Sequence, residues 1–139
     1  MNAVDTNVLI YRLDRHDRRK QAVARDLLRQ FVSDPATHTV LLWQVVGETV
    51  RQLRAWQSEG LLSLQQVRRY AEAIRDLFPL AMPTPRVLDH ALELSDRYSL
   101  SHWDSMLLGA CIEAGVDTLY IEDMCAPLRL GPIQLINPF

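Results

Sequence analysis

The sequence predicts an α/β domain with a mostly parallel sheet. Short β-branched and apolar runs alternate with longer amphipathic runs, and recognisable helix caps separate them. The chain has 139 residues, 48% of them apolar and 23% charged, which is enough for one domain with one sizeable core.

The elements follow in order. Residues 2–5 read as a short buried strand that passes at once into a helix from Thr6 to about Leu13. Residues 18–32 form a second helix, with Ala22, Val23, Leu27, Leu28 and Phe31 on one side. "SDPATHT" (33–39) is a loop, and "TVLL" (39–42) is a strand. A helix from about Gln44 to Ser58 spaces Trp43, Val46, Val50 and Leu53 helically. Ser63, with Gln66 three residues on, opens a helix that runs to about Leu77. Residues 78–82 form a strand interrupted by Pro79. Thr84 as cap and Pro85 as first helical residue start a helix that reaches about Tyr98. Ser101 starts another, which Gly115 ends. "TLYI" (118–121) and "IQLI" (133–136) are the remaining strands.

Composition narrows the function. No apolar stretch reaches the ~20 residues of a membrane span, and no basic segment followed by an apolar one marks a signal peptide. Cys111 and Cys125 form no C-x-x-C or zinc-type spacing, which fits a reducing, cytoplasmic setting. The formal net charge of −2 argues against a general nucleic-acid coat. Fourteen of the fifteen basic residues are Arg, and Lys20 is the only Lys. Arg12, Arg15, Arg18, Arg19, Lys20 and Arg25 crowd the first quarter, and Arg51, Arg54, Arg68 and Arg69 form a second group. Such residues suit phosphate contact; they equally suit a solvated helix face laced with Asp14, Asp17 and Asp26.

Four acids stand where a parallel sheet gathers its ligands, at the carboxyl ends of strands. Asp5 ends the first strand, and Asp123 follows "TLYI". Glu48 lies in the helix after "TVLL", and Asp104 in the first turn of the helix at Ser101. Each has a plain alternative. Asp5 can cap the helix at Thr6, Ser101 and Asp104 fit a capping box, Glu48 can pair with Arg51, and Glu122-Asp123 can be a polar turn. Together, however, several carboxylates cannot all stay ionised side by side without a cation. Mg²⁺ or Mn²⁺ prefers such oxygen ligands and supports phosphoryl chemistry. His16, His38, His90 and His102 are too scattered for zinc, and no phosphate loop or nucleophile elbow is present.

"AVDTNVLIY", "QVVGETV" (44–50), "SLSHWDSMLLGACIEAGVDTLYIEDM" (99–124) and "INPF" (136–139) together resemble PIN-domain ribonucleases, in particular the VapC-type toxins of bacterial toxin–antitoxin pairs. The resemblance spans essentially the whole chain, the middle helices matching in pattern only. It implies a single PIN domain over residues 1–139, with a three-layer α/β/α fold and a mostly parallel central sheet. The implied activity is Mg²⁺-dependent endoribonuclease cleavage that leaves a 5′ phosphate and a 3′ hydroxyl, with Mn²⁺ able to substitute. The family's acids map onto Asp5, Glu48, Asp104 and Asp123, with Thr6, Asn7 and Ser101 in support. Asp5 and Asp104 are the first choice as direct metal ligands. Glu122 stands where other PIN branches carry a hydroxyl residue. The implied partners are RNA, a VapB-type antitoxin whose Arg or Lys enters the acidic pocket, and a second copy of the chain. Trp43, Trp56 and Trp103 are the spare apolar residues for such contacts.

Three rivals compete with this reading. A flap-type DNA nuclease would need a duplex-binding insertion, and the chain is short for one. A silent PIN-like binding module would not need all four acids. A phosphatase with Asp5 as nucleophile would want a second Asp where Asn7 stands.

Overall fold

The computed structural model describes residues 1–34, 36–126 and 128–139. Part of the 33–39 loop expectation, at Pro35, lies outside them. Twelve elements follow one another among the described residues: β1 (Asn2–Val4), α1 (Thr6–Leu13), α2 (Arg18–Ser33), β2 (Thr39–Leu42), α3 (Trp43–Ser58), α4 (Leu64–Arg75), β3 (Leu80–Ala81), α5 (Arg86–Tyr98), α6 (His102–Glu113), β4 (Thr118–Tyr120), β5 (Leu128–Leu130) and β6 (Ile133–Ile136). The caps behave as their chemistry requires. Ser63 and Gln66 form a complete capping box, and Asp17 and Ser101 each accept a backbone N–H at the N-terminus of their helix. The Thr84 hydroxyl accepts from Arg86 N, so α5 begins one residue later than the proline suggests.

The strands form one six-stranded sheet in the order β3-β2-β1-β4-β6-β5. All neighbours are parallel except β5, which pairs antiparallel with β6. The connections from β1 to β2 and from β2 to β3 move in one direction across the sheet. The connection from β3 to β4 moves back in the other. Right-handed crossovers therefore put α1–α4 on one face and α5–α6 on the other. The packing agrees: α1 meets α2 and α3, α3 meets α4, and α5 meets α6. The chain leaves β1 towards β2 and returns beyond it as β4. The gap past the carboxyl ends of β1 and β4 is thus the sheet's topological switch point.

Burial on both faces explains the continuous apolar strands. Ala3, Val4, Leu41, Leu119, Ile133 and Leu135 are fully enclosed, with Val8, Leu9, Val45, Leu53 and Leu108 packing from the helices. Three sequence expectations need correction. On α2 the inward side carries Ala24, Leu28 and Phe31, and Ala22 is exposed. On α3 the buried stripe is Val45, Val46, Thr49 and Leu53; Trp43 falls off that stripe and is 47% exposed. Strand β5 was not expected. It is short, exposed and carries Arg129, yet "LRL-GP-IQL" is a hairpin pattern, and Gly131 takes the positive φ that its two-residue turn needs.

Helices α5 and α6 pack backbone against backbone at Gly109. A Cβ there would lie 2.6 Å from the Val87 carbonyl oxygen and 3.0 Å from Ala91 N, both backbone atoms. Gly47, in the middle of α3, meets nothing within 4 Å. The two glycines should respond oppositely to alanine. Gly109→Ala should lower the urea midpoint by an amount equivalent to about 1–3 kcal/mol through overpacking. Gly47→Ala should raise it by up to about 1 kcal/mol through helix propensity. Equal shifts in equilibrium urea unfolding would contradict this packing.

Candidate active site at the carboxyl edge of the sheet

The four acids come from four separate segments and line one cavity of about 280 Å³. Asp5 is the first residue after β1. Its backbone N–H still donates to Tyr120 O of β4 at 2.9 Å, so it is the last residue held by the sheet. Asp123 lies three residues after β4, Glu48 in the second turn of α3, and Asp104 in the first turn of α6. Thr6, Asn7, Gln44, Gln52, Arg51 and Trp103 complete most of the polar wall and rim.

Asp5 is 8% exposed, and its side chain makes no capping hydrogen bond although it occupies the N-cap position of α1. Among the described residues it has no ion-pair partner. Burial pushes its carboxyl up from 3.8 to about 6; the backbone N–H groups of Thr6 and Asn7 pull the other way, and the charges of Glu48 and Asp123 add to the rise. Asp5 thus feels the N–H groups at the start of α1 without closing a full capping hydrogen bond, and burial outweighs their pull. The Asp104 carboxylate is likewise unpartnered among the described residues. Its backbone N–H donates to Ser101 Oγ at 3.2 Å, and no reciprocal capping bond uses up the carboxylate.

Glu48 and Asp123 are held differently. Glu48 accepts from Thr6 Oγ1 at 3.0 Å and from Gln44 Nε2 at 2.9 Å. It makes no ion pair with Arg51 among the described residues. Gln44 Nε2 also donates to Trp103 O at 3.2 Å, tying the starts of α3 and α6 together. Asp123 accepts from Asn7 Nδ2 at 2.9 Å. Thr6 and Asn7 thus each steady one carboxylate, whereas Ser101 steadies the helix start that carries Asp104. Gln44 does comparable work and was missed; its only sequence signal is its i, i+4 spacing from Glu48.

Glu122 turns away from the cavity. It accepts from Tyr11 Oη at 2.6 Å and pairs with Lys20. Burial alone would raise its pKa, but the bonds from Lys20 and Tyr11 prevail and lower it. Lys20 is therefore not free for a phosphate. Arg12, Arg15, Arg18, Arg19 and Arg25 are exposed and do not line the acidic cavity; Arg51 does.

The donor set is all oxygen and suits Mg²⁺ or Mn²⁺. Two carboxylates without a side-chain donor among the described residues, one of them nearly buried, face two that are oriented by neutral side chains. Among the described residues no three His, Cys, Asp or Glu side chains form a ready-made metal cage. Mutual repulsion of the kind that raises the Asp5 pKa opposes such closeness without a cation.

Residues 3–123 match the family model of the PIN domain, and the chain belongs to that family. Solved structures share the fold. The Mycobacterium tuberculosis toxin VapC20, described as cleaving the sarcin–ricin loop, is 20% identical with a TM-score of 0.65, over 88% of this chain and 90% of that one. A toxin–antitoxin complex from Klebsiella pneumoniae contains a chain 16% identical with a TM-score of 0.72, over 100% of this chain and 98% of that one. The DNA-bound VapBC of Salmonella typhimurium gives 12% identity and a TM-score of 0.70, over 99% and 98%. No curated protein matches the chain significantly.

The Asp5 shift makes stability depend on pH when no divalent cation is bound. An acid whose folded pKa is raised contributes most below its unfolded value, and that contribution is lost as pH rises through the folded value. Through Asp5 alone, the apo-protein should lose about 2–3 kcal/mol between about pH 4 and pH 6, at about 1.36 kcal/mol per unit. Asp5→Asn should flatten that slope, as read by urea unfolding in EDTA. Parallel pH profiles for the two proteins would refute the shift.

Proposed function

We propose that this chain is a Mg²⁺-dependent endoribonuclease and the toxin of a VapBC-type pair. The observation that carries the proposal is the nearly buried carboxylate of Asp5, without a cationic partner among the described residues, in a cavity with three other acids. Burying a charge in this way is strongly unfavourable unless a cation answers it. The VapC neighbours support the choice of RNA through shared fold and family.

Asp5 and Asp104 would hold the ion directly, and Glu48 and Asp123 would complete its surroundings. When bound, Mg²⁺ supplies positive charge against a phosphoryl oxygen and makes water more acidic. Oxygens of Glu48 and Asp123 accept hydrogen bonds from water, and Thr6, Gln44 and Asn7 fix the direction in which they do so. Water attacks phosphorus in line and the 3′ oxygen leaves, giving a 5′ phosphate and a 3′ hydroxyl. Arg51 at the cavity wall offers its guanidinium to a neighbouring phosphate.

Two partner surfaces accompany this function. An apolar cleft of about 360 Å³, flanked by Trp43, Met82 and Trp103, adjoins the acidic cavity and shares Gln44 and Trp103 with it. Its position at the acidic rim suits the antitoxin's tail, and its exposed tryptophans suit a second copy of the chain. Trp56, named for the same purpose from sequence, instead packs against the core. The acidic cavity itself receives a basic side chain of the antitoxin.

Asp104→Asn keeps the size of the side chain and removes its charge. RNA cleavage should fall by at least about 10²-fold in this variant, and equally in excess EDTA. Full activity in either condition would overturn the assignment. If a partner's basic side chain occupies the metal's place, raising Mg²⁺ at constant ionic strength should weaken inhibition by mass action. Inhibitor affinity that stays flat from micromolar to millimolar Mg²⁺ would mean that the antitoxin acts by covering the groove instead.

A further inference from the structure

Asp123 sits in a segment that its own backbone does not stabilise. Met124 and Cys125, the next two residues, both take left-handed conformations, with φ of 59° and 55°. Such conformations in non-glycine residues persist only where the surroundings enforce them. The surroundings here come from α1 and α2. Asn7 and Tyr11 lie one helical turn apart on α1, so both project from the same face. Asn7 holds Asp123, and Tyr11 holds the adjacent Glu122. Lys20 of α2 reaches the same Glu122 carboxylate, and its Nζ stands 3.2 Å from Tyr11 Oη.

The cluster is enclosed further. Lys20 Nζ lies 4.6 Å from the Tyr11 ring centroid and 5.8 Å from that of Phe139. The two rings meet edge to face at 5.0 Å. Asn137 Nδ2 donates to the Glu122 carbonyl at 3.5 Å, so the residues after β6 brace the same peptide. Lys20 and Glu122 are only about one-fifth exposed, unlike the ordinary surface pairs of this chain such as Arg29–Asp26 and Arg75–Asp76.

We propose that Lys20 and Tyr11 are positioning residues that act through Glu122 to set the place of Asp123 in the acidic cavity. The two consecutive acids take opposite directions: Asp123 towards the cavity, Glu122 into the Lys20–Tyr11 clamp. The inference rests on the nuclease proposal and adds to it two residues outside the cavity.

Mn²⁺ binding to the full-length apo-protein, measured by calorimetry, tests it without reference to any RNA. Wild type, Lys20→Met, Tyr11→Phe, Asp123→Asn, and the Lys20→Met/Asp123→Asn double variant are compared. Lys20→Met should raise the Mn²⁺ dissociation constant about tenfold or more, the scale on which supporting groups act on metal affinity. Tyr11→Phe should raise it less. Lys20→Arg, which keeps the charge, should recover most of the affinity. In the Asp123→Asn background, Lys20→Met should have little further effect, because its influence passes through Asp123. Wild-type affinity in a folded Lys20→Met protein would overturn the positioning role, and so would an undiminished loss in the double variant. If Lys20→Met does not fold, Tyr11→Phe decides in its place, with unchanged affinity counting against the clamp. Wild-type protein that binds no Mn²⁺ in an Asp104-dependent manner would instead overturn the nuclease proposal itself.

Discussion

Four carboxylates have to share a cavity of about 280 Å³, and the charges of Glu48 and Asp123 weigh on Asp5. Much of the surrounding structure answers that constraint. The sheet fixes Asp5 by its backbone, so the side chain cannot retreat from the pocket. The starts of α1 and α6 bring the positive ends of two helix dipoles to the same place, which eases the local accumulation of negative charge. Neutral donors, rather than cations, orient Glu48 and Asp123. This distinction has a chemical consequence. A Lys or Arg salt bridge would cancel the charge that attracts a metal, whereas Thr, Asn and Gln hold the carboxylate in position and leave that charge available.

The division between the two pairs of acids is informative. No side chain donates to Asp5 or Asp104 among the described residues, whereas Glu48 and Asp123 each accept from side-chain donors. The first pair sits on the most rigid supports, a strand end and a capped helix start. The second sits in the second turn of α3 and in a turn after β4, and neutral side chains fix the direction of each carboxylate. Lys20, the chain's only lysine, belongs to the support of that turn rather than to the basic surface around it.

Much of this was legible in the sequence because it is local. The caps at Ser63 and Ser101 and the terminating Gly115 fix helix boundaries through contacts within four residues. The continuous apolar strands declare burial on both faces. The four acids were recognisable by their positions relative to strand ends and helix starts. What local pattern does not contain is the direction of individual side chains. Trp43 has helical spacing from Val46 and Val50, yet the sheet contacts rotate α3 so that Val45 and Thr49 face inward. Glu122 and Asp123 are adjacent acids, and only the folded arrangement of α1 and α2 separates their roles. Strand β5 escaped notice because three residues with a charged centre carry almost no periodic signal; antiparallel pairing with β6 creates the strand.

The ends of the sheet carry one further consequence. One edge strand, β3, has only two residues and lies between Pro79 and Pro83; the other, β5, has three and bears Arg129. Neither offers a run of free backbone groups long enough for another polypeptide to extend the ladder. Among the described residues, the short edges therefore give little template for strand addition, and the larger exposed apolar side chains, such as Trp43, Leu92 and Trp103, lie on helices instead.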